Sequence, residues 1–419
     1  MDKKITKVTV LDLSSIIDIF SSALECRLEC DPGFESALPP VTTCVGGLFW
    51  PLPMHAFRCE TAIALLVSKK GEMEVFGEDS RCNRVMGNIP PLSLSGHSVN
   101  LLDNYLVIAA SGISGEGWWY HSLERARGGL LANPWKHTKT LGNDAPIRHV
   151  NFVYGKDLIL LGGERGTQVA LQNGREENGE WNALRLTLQK DGSNFNKFTQ
   201  DACVVKSSRE TFYLLGGKAS SDGPAKASVY KINMREQNVE EMGSLVYARS
   251  KHACSIIPSA SSANYTDNSL ILVTGGETGA PKDEIFDVTQ RSSRSLERTM
   301  NLPRFDHRLV NLGKSIFALG GQLQSGDGAP LNDIEVFDSE SETWSLHPAK
   351  LLSTSTDGLA VTEMPSSSVS CNEGCECGVR SGARIVGGAE AQVKSYCFAK
   401  KKDFTTLLEF WPSFPQTDL

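Results

Sequence analysis

With 419 residues, 40% of them apolar, the chain can bury a large core, and 42 Lys plus Arg against 49 Asp plus Glu leave a formal charge of −7. That balance argues against nucleic acid or an anionic membrane surface as the main partner. No run approaches the ~20 consecutive apolar residues of a membrane-spanning helix, and Lys400-Lys401-Lys402 reads as a solvated stretch.

Residues 1–25 read as a poorly ordered lead segment. Met1-Asp2-Lys3-Lys4 supplies a basic start, but Asp12 and Asp18 interrupt the apolar residues after it, so the uninterrupted apolar centre of a secretion signal is missing. Residues 26–60 hold Cys26, Cys30, Cys44 and Cys59, and Cys371, Cys375, Cys377 and Cys397 crowd the other end. Only Cys82, Cys203 and Cys254 lie between them. Dense cysteines around a cysteine-poor middle point to disulfide-stapled segments in an oxidising, extracellular setting. Two alternatives are open: a start that lies outside this sequence, which we adopt, or a cytoplasmic protein with reduced thiols. Cys371, Cys375 and Cys377 have no second cysteine or histidine pair at zinc-site distance, so no metal site is expected.

Residues 61–366 carry a repeat. Leu161-Gly162-Gly163, Leu215-Gly216-Gly217, Thr274-Gly275-Gly276 and Leu319-Gly320-Gly321 recur in steps of 54, 59 and 45 residues, the range of a propeller blade. A β-rich apolar run precedes each pair, so a strand ends where the backbone needs φ > 0. A second strand with an aromatic comes next, at Tyr230, Phe286 and Phe337, and Trp344 lies on a third strand. Weaker copies occupy 105–112 and 62–76, the latter with Lys69 and Lys70 in the glycine places. This order resembles the kelch repeat, which implies an all-β propeller; five glycine endings plus the degenerate one predict six blades, and the clustered cysteines predict small disulfide-rich flanking segments. Residues 357–363 are a first strand with no second strand after it, and pairing them with 62–68 closes the ring without an open edge.

Several residues on this scaffold invite a functional reading. His97, His149, His252 and His307 each begin a first strand, with Asp201 and Asp357 in the same place in the other two repeats. A recurring hydrogen-bonding residue explains them better than a metal cage. The acidic pairs Glu176-Glu177, Glu240-Glu241 and Asp338 with Glu340 read as surface turns rather than as a general acid and base. No catalytic residue and no cofactor are expected. The loops after the glycines supply Arg165, Lys218, Thr278 and Gln322 as partner-contact candidates. Trp118 and Trp119 join them, because Trp118-Trp119-Tyr120 cannot all face one core when strand side chains alternate. Asn264-Tyr265-Thr266 is a glycosylation sequon in a Ser/Asn-rich insertion.

The two ends resemble pieces of other modules. Cys30-Asp31-Pro32-Gly33-Phe34, then Cys44-Val45-Gly46-Gly47 with Trp50, then Cys59, is similar to the last three-cysteine half of a sushi (complement-control) module. The resemblance implies a Cys30–Cys59 disulfide and leaves Cys44 to find a partner. Cys26 is too near Cys30 for the module's first cysteine, so the module is truncated or its pairing altered. Residues 367–384 form a Cys/Gly-rich linker. Cys377-Gly378, Arg384-Ile385-Val386-Gly387-Gly388 and Glu390-Ala391 with Ser395-Tyr396 resemble the activation junction of a trypsin-like serine protease zymogen. Cleavage between Arg384 and Ile385 by an activating trypsin-like protease would free the Ile385 ammonium. Residues 385–419 then read as a truncated start of the protease domain: no histidine comes after Ile385, and neither Ser395 nor Ser413 is glycine-flanked, so the required triad is absent from this stretch.

The sequence therefore predicts a non-catalytic, extracellular protein-recognition module with a protein partner. Its rivals are a fragment of a modular serine protease zymogen and an intracellular kelch adaptor.

Overall fold

Every regular element among the described residues is a β-strand. With single-residue breaks at 209 and 221, the computed structural model describes residues 59–78, 148–163, 180–195, 200–258, 270–277, 282–324, 328–352 and 358–365. It also describes the strands Lys7–Val10, Leu24–Glu29, Phe34–Ser36, Val41–Val45, Leu48–Trp50, Arg84–Asn88, Ser95–Leu102, Tyr105–Gly112, Gly115–Ser122, Lys136–Lys139 and Thr167–Gln172.

The apolar runs before the glycines become the second strand of each sheet, and both faces of that strand are buried. Period-2 alternation sends neighbouring residues to opposite sides. In Thr211–Leu215, Phe212 and Leu214 pack with Phe152 and Ile159 of the preceding sheet, whereas Tyr213 and Leu215 pack with Ile271 and Val273 of the following one. In Ser315–Leu319, Ile316 and Ala318 meet Leu272 and Ile285 on one side. Phe317 and Leu319 meet Ala64 and Leu66 on the other. Burying each large side chain contributes about 1.5–3 kcal/mol. The core is thus a series of layers between sheets, which is why these strands read as continuous apolar runs rather than as alternating ones.

The sheets are antiparallel ladders in a propeller-like arrangement. One runs His149–Tyr154, Asp157–Gly162, Thr167–Gln172, Glu180–Ala183. The next runs Cys203–Lys206, Thr211–Leu215, Lys226–Asn233, Asn238–Arg249, with Thr187–Leu188 added in parallel at its outer edge. Then come Ala253–Ile256, Leu270–Thr274, Glu284–Asp287, Ser292–Ser295, and Arg308–Leu312, Ser315–Leu319, Asp333–Asp338, Thr343–Lys350. Ahead of these in sequence lies Ser95–Leu102, Tyr105–Gly112, Gly115–Ser122, Lys136–Lys139.

The remaining sheet draws on both ends of the repeat region. Ala360–Pro365 pairs antiparallel with Cys59–Val67, Ala360 opposite Val67 and Pro365 opposite Ala62, and Glu72–Phe76 and Arg84–Asn88 complete the ladder. This is the closure expected from the sequence.

Before the repeats, Lys7–Val10, Leu24–Glu29, Val41–Val45 and Leu48–Trp50 form a small antiparallel sheet, and Phe34–Ser36 pairs with Cys59–Val67. Cys26, Cys44 and Cys59 lie on these strands. Cys30, the linker 367–384, the junction at Arg384 and Ile385, and residues 385–419 lie outside the described residues. One disulfide joins described residues: Cys203 on one first strand is bonded to Cys254 on the next, with their Cα atoms 6.0 Å apart.

Candidate functional site at the mouth of the ring

Five of the first strands are entered through a residue in the left-handed region. Arg148, Asp201, Lys251 and Asp306 have φ of 58°, 54°, 52° and 59°, and Gly358 takes the same place at 61°. Each stands two residues before the strand position that pairs with the residue preceding the diglycine: Val150 with Leu161, Cys203 with Leu215, Ala253 with Thr274, Arg308 with Leu319. Left-handed geometry costs a non-glycine residue about 1–2 kcal/mol. The ring over-determines it here. The Asp201 N–H donates to the Arg148 carbonyl at 3.3 Å, Lys251 to Asp201 at 2.9 Å, and Asp306 to Lys251 at 2.8 Å. A backbone chain therefore runs from sheet to sheet around one end of the ring, and the side chains of these residues line its mouth.

This register corrects one expectation. Asp201 does not stand in the histidine place: His149, Ala202, His252, His307 and Leu359 are the equivalent residues, and Asp201 aligns with Arg148, Lys251 and Asp306. Asp357 lies outside the described residues. The histidines themselves are wedges between sheets. A Cβ on Gly216 would lie 2.6 Å from His252 Cε1, and one on Gly275 2.7 Å from His307 Cε1, so in these two pairs the first glycine is required where the next sheet's histidine packs. His97 Nε2 bonds the Val67 carbonyl at 2.8 Å, and His307 Nε2 bonds Thr274 Oγ1 at 2.8 Å. Burial, the dominant cause, lowers the pKa of His97 to about 4 and of His252 to about 3, and that of His307 well below its ordinary value. All three are neutral at pH 7 and sit inside the structure. Among the described residues no group of three or more His, Cys, Asp or Glu is arranged to hold a metal ion.

Two residues before Lys251 and before Asp306 stand Arg249 and Arg304, both fully enclosed. The Arg249 guanidinium donates to the Gly275 carbonyl at 2.9 Å, to the Lys282 carbonyl at 2.7 Å and to Glu284 Oε1. Arg304 repeats this with the Gly320 and Asp333 carbonyls at 3.0 and 2.9 Å and with Glu335 Oε1 at 2.8 Å. The side chains of both ion pairs are 0% exposed. Each clamp ties the loop entering a sheet to the diglycine and third strand of that same sheet, and so fixes the adjoining mouth residue.

At the rim the charges are partly exposed. Lys218, just after Gly217, and Lys251 reach one carboxylate from different sheets: Lys218 Nζ lies 2.7 Å from Glu277 Oε2 and Lys251 Nζ 2.8 Å from Glu277 Oε1. Burial pushes the Glu277 carboxyl up, but the hydrogen bonds from Lys218 and Lys251 outweigh it and hold the pKa at about 2. Lys251 also lies over the Phe305 ring, 5.6 Å from its centroid. Arg148 approaches Asp201 at 3.5 Å. The Asp201 pKa is raised, chiefly by burial, with Arg148 opposing and Asp306 adding to it. The result is a patch of fixed, alternating charge held on rigid backbone. It offers directional hydrogen bonds and ion pairs to a surface laid against it.

Of the residues singled out from the sequence, Lys218 and Gln322 occupy equivalent places at this mouth, each in a backbone pair with the residue before a left-handed one, Gln200 and Phe305. Trp118 and Trp119 lie on Gly115–Ser122, opposite Ala109 and Ile108. Arg165, Thr278 and Asn264 lie outside the described residues. Glu277, Lys251, Asp201, Asp306 and Arg148 were not anticipated as a group. Glu277 had a signal: like Lys218 and Gln322, it is the first residue after a diglycine.

Residues 303–347 match the Kelch motif. They span the Arg304–Glu335 clamp, His307, Gly320-Gly321 and Trp344. No curated protein matches the chain. The matched motif, which covers one repeat, and the propeller-like arrangement of sheets together support a kelch-type β-propeller fold.

Proposed function

We propose that the chain is a non-catalytic protein-recognition module whose contact face is the ring mouth carrying Arg148, Asp201, Lys218, Lys251, Glu277, Asp306 and Gln322. The observation that carries this reading is the convergence of Lys218 and Lys251, from different sheets, on Glu277 in a partly exposed position. Charge held rigidly where it adds little to stability is suited to recognition. We take the ring to have six blades. The neighbour relations of the first strands support that number: Ser95–Leu102 lies beside His149–Tyr154, then Cys203–Lys206, Ala253–Ile256, Arg308–Leu312 and Ala360–Pro365 come in turn, and Ala360–Pro365 lies beside Ser95–Leu102 again.

An extracellular setting is proposed from the cysteine distribution, with the cytoplasmic adaptor as its rival, and no cofactor is invoked. The protease-zymogen reading rests on the Arg384-Ile385 sequence alone; an open reading frame after Tyr396 that encodes a histidine, an aspartate and a Gly-x-Ser-Gly segment would favour it. Among the described residues no helix is long and apolar enough to cross a membrane.

A photo-crosslinking residue at Gln322, compared with one at Leu346 on the outer edge, tests the contact face. Protein adducts are expected at 322, absent at 346, and lost when Lys218→Glu and Lys251→Glu are introduced. Equal adducts at both positions, insensitive to those changes, would remove the mouth as the contact face.

A further inference from the structure

We infer that Cys203–Cys254 is a redox staple that fixes the mouth of the ring, so that the geometry of the Asp201–Lys251 junction depends on the thiol state. The two cysteines are 51 residues apart in sequence, about one repeat, and sit on neighbouring first strands with Cα atoms 6.0 Å apart, within the span a disulfide requires. First strands approach one another closely, which lets a bridge form directly between sheets. The other links between these two sheets at this point are apolar packing, single hydrogen bonds and the partly exposed Lys218–Glu277 ion pair.

Position gives the bond its consequence. Cys203 lies two residues after Asp201, and Cys254 three residues after Lys251. The Lys251 N–H donates to the Asp201 carbonyl at 2.9 Å. The disulfide therefore fastens the two strands immediately inside this mouth hydrogen bond. Asp201 faces Arg148, and Lys251 reaches Glu277 together with Lys218. Cutting the staple releases the two sheets that contribute Asp201 and Lys251 from a covalent constraint, leaving packing, hydrogen bonds and the Lys218–Glu277 ion pair to set their separation.

The two sulfurs are not equivalent. Cys254 is buried at 6% exposure, while Cys203 is only half-buried. Exchange therefore runs through Cys203. A Cys203 thiolate attacks a small-molecule disulfide such as oxidised glutathione, forming a mixed disulfide and expelling one glutathione thiolate. The Cys254 thiolate then attacks the Cys203 sulfur and expels the second. Two protein thiols are oxidised and one external disulfide is reduced; the two protons released by the protein thiols are taken up, through solvent, by the two expelled glutathione thiolates, which leave as thiols. The inference is independent of which partner the mouth binds.

The test uses the full chain, equilibrated either with oxidised glutathione or with dithiothreitol and then subjected to peptide mapping and amide hydrogen exchange. In the oxidised sample a linked Cys203–Cys254 peptide is expected, the Lys251 amide should exchange about 10-fold more slowly than in the reduced sample, and Tm should rise by roughly 5 °C. Introducing Cys203→Ser with Cys254→Ser should abolish the redox difference at the Lys251 amide while leaving any contributed by the other nine cysteines. The wild-type comparison needs no variant, so a variant that fails to fold does not block the test. Free, alkylatable thiols at both positions after oxidation would overturn the inference, as would an exchange rate at Lys251 that ignores the thiol state.

Discussion

Arg249 and Arg304, fully enclosed with Glu284 and Glu335, contrast with Lys218 and Lys251, which reach Glu277 with side chains that are 15% exposed toward a carboxylate that is 32% exposed. The enclosed guanidiniums also hold carbonyls, two at Arg249 and three at Arg304. Removing one partner there strands a charge without water, whereas solvent can replace either partner at the rim. The same attraction thus serves architecture in one place and leaves binding capacity in the other. Arginine suits the first because its planar fork satisfies a carboxylate and carbonyls together.

The largest effect should come from Arg304→Ala, which leaves Glu335 buried without its cation. A loss of about 3–5 kcal/mol in denaturant unfolding is expected, and a loss below about 1 kcal/mol would break the contrast between clamp and rim. Gly275→Ala comes next, because φ is +62° and the added Cβ meets His307 and the Arg304 carbonyl. Strain and displacement together should cost about 2–4 kcal/mol, read from the same unfolding curves.

Acid sharpens the comparison further. The folded pKa values of His97 and His252 lie below the unfolded value of 6.5, so the unfolded chain binds more protons between 6.5 and about 4 for His97, and between 6.5 and about 3 for His252. Their stabilisation is complete above pH 6.5 and is lost as pH falls through that window, by an amount on the order of a few kcal/mol. Asp283 acts in the opposite sense. Burial raises its pKa to about 6 against the backbone N–H groups of Met300 and Gly275, so its contribution is present below about pH 3.8 and lost as pH rises toward 6. Stability measured from pH 7 to pH 5 should fall on balance, and His97→Gln should flatten the slope. An unchanged slope would mean that His97 is not the neutral wedge described.

Glu277→Gln should cost under about 1 kcal/mol, an effect erased by 0.5 M salt, while changing crosslinking at residue 322. The smallest effect concerns activity. Trypsin should cut between Arg384 and Ile385 and expose Ile-Val-Gly-Gly, while an arginine-ester assay and an active-site serine probe stay at background. Probe labelling after the cut would favour the zymogen reading.

The strands that bury both faces were legible because an apolar run ending in a diglycine allows few other readings, and the closing strand was legible because 357–363 had no second strand of its own. The wedge histidines are legible as structural residues, but Asp201 lies one position away from the wedge place that the sequence suggests for it. The left-handed residue that enters five of the first strands carries no residue-type signature: Arg, Asp, Lys, Asp and Gly all occur there. The clamps leave a fainter trace. Arg precedes the wedge by three residues at Arg249 and Arg304, and Glu precedes the aromatic by two at Glu74, Glu284 and Glu335. The Lys218–Glu277–Lys251 group was not legible as a unit, because its members come from different repeats and only the ring brings them within reach.

Ala360–Pro365 completes the sheet begun by Cys59–Val67, and this orders events during synthesis. When the ribosome has made the first 350 residues, Cys59–Val67 still lacks its inner neighbour, and Ile63, Leu65 and Val67 have no Ala360 or Met364 to cover them. A nascent chain in this state carries an unpaired edge for as long as the last strand takes to emerge, the kind of surface that chaperones hold and that pairs wrongly with a second copy. The final strand, which adds few residues, converts an open stack of sheets into a ring and is the step at which synthesis becomes committed folding. Slowing translation just before Ala360 should therefore lengthen chaperone occupancy more than a pause of equal length after Pro365.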